Sequence, residues 1–225
     1  QALDGLGQSC GYIGTLGLGR ITNLVETTHT TPDPVRVQQW LARFADDRLS
    51  GVAFEVSSHA LDQHRVDGVL FDTAVLTQIG RDHLDYHGDA TRYAAAKQRL
   101  FARPGLRNAV LNADDPRVLA AREWARGAIV FFTLDPDSVP VREHVSEHGV
   151  AFTVHEGFMV LRQGQVEARI IAVADIPISF GGRARFNIAN ALAAAAAGRD
   201  MAAKVVGVRG ALADWPVFER WTRKG

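Results

Sequence analysis

The chain has 225 residues, 47% of them hydrophobic, and 25 Lys and Arg residues balance 25 Asp and Glu residues. This is an ordinary globular composition, with room for one large domain or two small ones. Zero formal net charge argues against nucleic-acid binding, and no apolar run is long enough for membrane insertion. Cys10, the single cysteine, cannot form an internal disulfide, so we expect a small buried residue in a cytoplasmic protein.

The first part of the chain is rich in glycine and is expected to be extended over residues 12–18. The spacing of Gly11, Gly14, Gly17 and Gly19 does not match G-x-x-x-x-G-K-[ST], and no Lys follows. These glycines therefore indicate sharp turns or close backbone packing rather than a phosphate-binding loop.

A helix is predicted next, because Asp33 can cap it and Pro34 suits its first position. Four apolar residues then follow at the spacing of one helical face, namely Val37, Trp40, Leu41 and Phe44. This face should be buried against the rest of the domain.

Short apolar strands alternate with helices over the next hundred residues. The predicted strands are 51–56, 71–79, 109–111 and 128–133, and the predicted helices are 89–101 and 116–126. Near-continuous apolar strands separated by helices are typical of a parallel sheet that is covered on both faces.

The pattern changes beyond Asp135. From residue 150 to residue 178 the strands are broken by Gly and charged residues, which predicts an antiparallel meander appended to the sheet. Two helices are expected after it, over 186–197 and 201–213. The fold class is therefore α/β, with a mostly parallel sheet flanked by helices and a small antiparallel meander.

Polar residues follow three of the predicted strands at their carboxyl ends, where open parallel sheets bind ligands. Glu55 ends one strand, the run from Arg81 to His87 follows the next, and Asn112 ends the third. If the three strands are neighbours, these side chains share one rim. Glu55 is either an edge residue that faces water or a buried carboxylate that needs a cation. The Asp and His residues of 82–87 have a rival interpretation as a zinc site, although a complete ligand set of the usual spacing is missing.

Lys97 lies on one face of a predicted helix with Tyr93, Ala96 and Leu100. Lysine is rarely fully buried without a partner. Its amine either reaches water while the stem covers apolar surface, or is held uncharged by its surroundings for a chemical task.

Four motifs together resemble the Mur ligases. They are EVSSHALDQHR (55–65), RDHLDYHGD (81–89), AAK (95–97) and LNADDP (111–116). The likeness is greatest to the branch that adds the third amino acid to UDP-N-acetylmuramoyl-L-alanyl-D-glutamate, and it covers residues 1–130 most closely. It implies a P-loop NTPase-like central domain that makes an acyl phosphate on a substrate carboxylate, which an amine then displaces.

The resemblance also implies roles for single residues. Contacts to the UDP-N-acetylmuramoyl dipeptide fall on Thr30, Thr31, Ser57, Gln63 and Arg65. The catalytic and metal set for Mg²⁺ falls on Glu55, His83 and Lys97, with Lys97 carbamylated. The nucleotide side, which would bind ATP, falls on Asn112 and Asn187.

The chain departs from the family pattern at His29 and Gln78, where Asn is usual in both cases. The resemblance places the family's P-loop upstream of Gln1 and its amino-acid-binding domain beyond the end of the chain. We therefore expect residues 1–215 to be the central domain of a fragment, 216–225 to be a tail, and the fragment alone to be inactive with ATP.

Residues 150–197 are similar instead to the Mur-like half of cyanophycin synthetases, on the run EGFMVLRQGQVEARIIAVADIPISFGGRARFNIANALAAAAA. A cyanophycin-type ligase is therefore an alternative, and a non-catalytic fragment that only binds nucleotide or nucleotide sugar is another. The identity of the added amino acid and the oligomeric state stay open.

Overall fold

The computed structural model of the protein describes residues 8–80 and 83–206, with residues 200–206 described by their backbone alone. These residues form two compact units. The first comprises residues 8–70 and 83–100, and the second comprises residues 71–80 and 101–206. Within these described ranges no helix is long and apolar enough to cross a membrane. The predicted tail, Asp82 and the end of the helix predicted at 201–213 lie outside them.

A four-stranded sheet of order β3-β2-β1-β4 is the scaffold of the first unit. Its strands are β1 (Cys10–Gly14), β2 (Gly17–Arg20), β3 (Asn23–Val25) and β4 (Gly51–Phe54). The strands β1, β2 and β3 are antiparallel neighbours, whereas β4 pairs with β1 in parallel. Gly17 and Gly19 have φ of 135° and 138°, a region that side chains disfavour. A Cβ at Gly17 or Gly19 would lie 2.7 or 2.6 Å from a backbone oxygen of β3, so the predicted close packing is confirmed at these two glycines.

Helix α1 (Pro34–Asp46) packs on this sheet through the predicted face. The Asp33 side chain accepts a hydrogen bond from the Arg36 backbone N–H at 3.0 Å and so caps the helix start. Val37 and Phe44 are buried, and Phe44 joins a core cluster with Ile13 and Leu18 of the sheet.

Three short helices complete the first unit. They are α2 (Ser58–Asp62), α3 (Leu84–His87) and α4 (Ala90–Gln98). Ser57 and Asp89 cap α2 and α4 by accepting backbone N–H groups. Helix α4 is shorter than the predicted 89–101, and it ends at Gln98.

A six-stranded sheet of order β10-β9-β8-β7-β6-β5 is the scaffold of the second unit. Its strands are β5 (Thr73–Leu76), β6 (Asn108–Asn112), β7 (Ala128–Phe132), β8 (Val150–His155), β9 (Phe158–Gln163) and β10 (Val166–Ala172). Strands β5 to β8 run parallel, and β8 to β10 form the antiparallel meander. The predicted fold class is confirmed.

The core of the second unit lies between this sheet and a long helix, α7 (Arg185–Val206). Phe132, Phe152 and Met159 of the strands are fully buried there beside Leu192 of the helix. Small Ala side chains on the same helical face allow a close approach to the sheet, which explains the Ala-rich run.

Two predictions about the elements are wrong, and one helix was not predicted. The helix expected over 116–126 is a single turn, α5 (Pro116–Leu119), continued by a 3₁₀ turn. The helix α6 (Val139–Ser146) was not predicted. The two helices expected near the end are one, since Gly198 sits within α7 without interrupting it.

The expected single rim is also wrong. Strand β4, which precedes Glu55, belongs to the four-stranded sheet, whereas β5 and β6 belong to the six-stranded one. The parallel pattern therefore came from two sheets in two units, and Glu55 and Asn112 do not end neighbouring strands.

Candidate functional site

Six of the predicted residues are joined by one hydrogen-bond network in the first unit, and Thr31 is at its centre. The Thr31 side chain is 1% exposed. Its hydroxyl donates to the Glu55 carbonyl oxygen at 2.9 Å and accepts from the Ser57 N–H at 2.9 Å. Thr31 thereby fixes the segment 55–57, which follows β4, against its own segment.

The Glu55 side chain is exposed just beyond the edge strand β4. Of the two alternatives for this residue, the position that faces water is therefore confirmed, and the buried carboxylate is wrong. Its Oε2 atom accepts from the Thr15 N–H at 3.0 Å and from the Tyr12 hydroxyl at 3.3 Å. Burial raises the pKa of Tyr12, and the charge of Glu55 adds to this rise, so the hydroxyl stays a donor. Every hydrogen bond that the described residues make to the Glu55 carboxylate goes to Oε2, which leaves Oε1 for a further ligand.

Thr15 also connects the remaining threonine. Its hydroxyl is 2.9 Å from the Thr30 hydroxyl. Gly14 leaves room for the contact between Tyr12 and Glu55, because a Cβ at residue 14 would lie 2.4 Å from the Tyr12 hydroxyl and 2.8 Å from Glu55 Oε2. Thr15 and Tyr12 were not predicted as site residues; the glycines on either side of Thr15 were the available signal.

Arg65 and Gln63 extend the network. The Arg65 guanidinium donates to the Thr31 carbonyl at 2.8 Å, and its Nε donates to Gln63 Oε1 at 2.9 Å, with a second bond to the same oxygen. Guanidinium carries five N–H donors, and these three bonds leave two for an anionic ligand. Ser57 caps α2 with its oxygen and keeps a hydroxyl proton to donate.

A cluster of imidazole and phenol rings lies beside the network. The His59 ring is 4.1 Å from Tyr86, 4.8 Å from His83 and 5.5 Å from His87, between ring centroids. Burial lowers the pKa of His59, and the nearby His83, His87 and Arg65 lower it further. His59 is therefore neutral at pH 7 and adds no charge beside His83.

His83 and Lys97 lie against the same ring, that of Tyr93. The His83 and Tyr93 centroids are 6.3 Å apart, and Lys97 Nζ is 5.0 Å from the Tyr93 centroid. Lys97 is half-buried, and none of the described carboxylates lies within salt-bridge distance of its amine. The Lys97 amine therefore has the Tyr93 ring, and none of the described carboxylates, as its neighbour.

Of the predicted metal residues Glu55, His83 and Lys97, Glu55 supplies the one carboxylate. Within residues 8–80 and 83–199, no three His, Cys, Asp or Glu side chains are arranged to hold a metal ion. The zinc interpretation therefore has no support there, although Asp82 lies outside the described residues. Mg²⁺ commonly binds one or two carboxylates and completes its shell with water and phosphate oxygens. Glu55 Oε1 is an oxygen donor of this kind, and the carbamate that the resemblance implies on Lys97 would be a second one.

The two predicted nucleotide-side residues lie in the second unit, whereas the network around Thr31 lies in the first. Asn112 donates to the Thr77 carbonyl at 2.8 Å and accepts from the Asp114 N–H at 2.9 Å, so it shapes the loop after β6. Asn187 donates to the Ile178 carbonyl at 2.7 Å. Its Oδ1 and second amide hydrogen are not used by any described residue and can pair with a ligand.

The two departures from the family pattern are surface residues. His29 is exposed, and its Nδ1 lies 2.9 Å from the Thr28 hydroxyl. Gln78 is also exposed. Neither side chain is part of the network around Thr31.

Comparison with known proteins gives a consistent result. Residues 3–198 match the model of the Mur ligase middle domain. A UDP-N-acetylmuramoyl-L-alanyl-D-glutamate–2,6-diaminopimelate ligase of Alkalilimnicola ehrlichii is 46% identical over 197 residues, which is 88% of this chain and 38% of that protein. The enzyme of the same name from Xanthomonas campestris pv. campestris is 42% identical over 234 residues, covering all of this chain and 44% of that protein.

A solved structure of a ligase of this name superposes with a TM-score of 0.66 at 27% identity, covering 92% of this chain and 39% of that one. The chain thus spans less than half the length of the proteins it matches. The match to the family model covers most of the chain and includes the whole network around Thr31. The chain belongs to the Mur ligase family, and the part of that family which it represents is the middle domain.

Proposed function

We propose that the chain is the ATP-dependent part of a ligase that joins 2,6-diaminopimelate to UDP-N-acetylmuramoyl-L-alanyl-D-glutamate in peptidoglycan precursor synthesis. The relatives carry this activity in their names at 42% and 46% identity. The reaction consumes ATP and a nucleotide-linked precursor, so we place it in the cytoplasm.

The observation that supports this proposal best is the network around Thr31. Residues that are far apart in sequence, from Thr30 to Arg65, converge on one set of hydrogen bonds that leaves unused donors. The free guanidinium hydrogens of Arg65 suit an anionic group of the nucleotide-sugar peptide. The Ser57 hydroxyl adds a neutral donor, and Ser57 is joined to Arg65 through Thr31.

The proposed chemistry is transfer of the terminal phosphoryl group of ATP to a substrate carboxylate oxygen, with loss of ADP. The amine nitrogen of the amino acid then bonds to the acyl carbon, phosphate leaves, and a proton is released from nitrogen. Bound Mg²⁺ would supply neutralisation of the phosphate charge. The chain's own part is to hold the acceptor with Arg65 and Ser57 and to present the oxygen of Glu55.

Lys97 has a distinct role in this proposal. Its uncharged amine would bond to carbon dioxide and lose a proton, which turns a basic side chain into an oxygen ligand. What supports this is that Lys97 is half-buried and that none of the described carboxylates forms an ion pair with its amine. His83, on the same Tyr93 ring, would be its neighbour at the metal.

The test is ADP release by the intact gene product with Mg²⁺ and UDP-N-acetylmuramoyl-L-alanyl-D-glutamate. We expect release that depends on diaminopimelate, and a loss of about a hundredfold or more in Lys97→Ala, the scale of losing one transition-state contact. Arg142→Met, an exposed change on α6, should keep full activity. Release with lysine in place of diaminopimelate would correct the substrate. Release with aspartate or arginine that does not need the UDP-linked peptide would favour the cyanophycin-type alternative. An active Lys97→Ala would refute the role of Lys97.

A further inference from the structure

Tyr86 contacts Gln63, which is in the network around Thr31, and it also contacts the imidazole rings beside His83. It is not one of the predicted site residues. The residue is on the short helix α3 and is 40% exposed. Its hydroxyl accepts from Gln63 Nε2 at 3.1 Å and donates to Asp62 Oδ2 at 3.1 Å. Both bonds reach the end of α2, so one hydroxyl fixes the amide of Gln63 relative to that helix.

The orientation of Gln63 matters because of what lies on its other end. The oxygen of the same amide accepts two hydrogen bonds from Arg65. An amide that donates from nitrogen to Tyr86 must present its oxygen to the guanidinium, and the reversed amide would face Arg65 with hydrogens. Because the Tyr86 hydroxyl gives its proton to Asp62, it can only accept from the amide, and it therefore favours the orientation that holds Arg65 in place.

The ring of Tyr86 contacts the imidazole rings beside His83. It packs on His59 at 4.1 Å, and His59 in turn packs on His83 at 4.8 Å. Tyr86 also meets His87 in an edge contact at 4.8 Å, and buried His87 is anchored by a 3.0 Å hydrogen bond with Ser58. The ring thus closes one side of the imidazole stack that supports His83.

From these contacts we infer that Tyr86 is a positioning residue that acts on the acceptor-binding Arg65 through its hydroxyl and on His83 through its ring. This inference rests on the proposed function, since Arg65 and His83 have their roles there. It separates into two parts, because Tyr86→Phe removes the hydroxyl alone and Tyr86→Leu removes the ring as well.

The kinetic test uses the intact gene product. Tyr86→Phe should raise KM for the UDP-muramoyl dipeptide by about two- to tenfold, the usual effect of one neutral hydrogen bond, with kcat unchanged. Gln63→Leu combined with Tyr86→Phe should have little more effect than Gln63→Leu alone, because both changes break the same path. Tyr86→Leu should also lower kcat. The matched control is Trp124→Phe, at an aromatic residue of similar exposure in the second unit.

A spectroscopic test needs no turnover. In nitrogen-15 spectra of the protein without nucleotide, Tyr86→Phe should shift the Arg65 Nε–H signal and leave the His83 imidazole signals in place. Tyr86→Leu should shift both. Additive KM effects of the Gln63 and Tyr86 substitutions, or an unmoved Arg65 signal in Tyr86→Phe, would overturn the inference. Absence of ligase activity in the unaltered protein would refute the proposed function alone, since the spectra still decide the inference.

Discussion

Single side chains at the proposed site act mainly by holding one another. Thr31 illustrates this, because its hydroxyl has both of its main bonds inside the protein and its side chain is buried. Its importance for binding would come from placing Glu55 and Ser57. The family motifs predicted Thr31 as a contact to the substrate, but they did not predict that its side chain is buried. The burial depends on hydrogen bonds to Glu55 and Ser57, which lie 24 and 26 residues further along the chain.

His144, which lies outside the proposed site, affects how the stability of the protein depends on pH. His144 lies against Phe131 at 4.7 Å, and its ring fills the space that a side chain at residue 149 would need. Burial lowers the pKa of His144 below its ordinary value of 6.5. As the pH falls through 6.5, His144 therefore takes up a proton in the unfolded chain before it does so in the folded chain. The free energy of unfolding decreases over this pH range because the unfolded chain binds more protons.

Replacement of His144 should remove this part of the acid sensitivity. We expect the urea midpoint of His144→Phe to fall less between pH 7 and pH 5 than that of the unaltered protein. The matched control is His148→Asn, at an exposed histidine just beyond the same helix, with a positive φ that Asn accepts. Equal acid slopes in His144→Phe and the unaltered protein would show that burial of His144 does not contribute.

At the scale of elements, local signals were sufficient where caps and periodicity agree. Helix α1 begins at the predicted Pro34 and buries the predicted face, and the three strands of the meander lie where Gly and charge breaks divided them. The helix α6 was missed because Pro140 and scattered charges hide a short amphipathic turn. The separation into two sheets could not be predicted, since strands β4 and β5 have the same apolar character and differ only in their partners.

Close packing of α1 on β1 gives a prediction at this scale. A Cβ on Gly11 would lie 2.9 Å from the ring of Phe44, which is buried in the core of the first unit. Gly11→Ala should therefore lower the free energy of unfolding of that unit by about 1–3 kcal/mol, the range for overpacking. The measurement is chemical denaturation followed by tryptophan fluorescence, which Trp40 beside Phe44 supplies.

The control for Gly11 is another glycine of the chain with open space around it. Gly198 is inside α7, and a Cβ added to it would meet no neighbouring atom within 4 Å. Gly198→Ala should therefore be neutral or stabilising by up to about 1 kcal/mol. A Gly11→Ala variant as stable as the unaltered protein would mean that Phe44 moves aside without cost.

At the scale of the whole molecule, the proposed functions divide between the two units. The residues proposed for the acceptor and the metal belong to the first unit, and the two asparagines proposed for the nucleotide belong to the second. The family motifs predicted both groups from sequence, whereas an argument from one continuous parallel sheet put Glu55 and Asn112 on the wrong common rim. Motif resemblance therefore predicted the candidate residues, and the structure assigns each of them to one of the two units.

The central claim is that the network around Thr31 binds the acceptor, and Arg65 tests it most directly. In the intact gene product, Arg65→Met should raise KM for the UDP-muramoyl dipeptide by roughly ten- to a hundredfold, the scale of a lost charged hydrogen bond. KM for ATP should stay within about twofold, and Arg142→Met, which removes an equal charge on α6, should change neither. An acceptor KM that is unchanged in Arg65→Met, or an ATP KM that rises in parallel with it, would contradict the account.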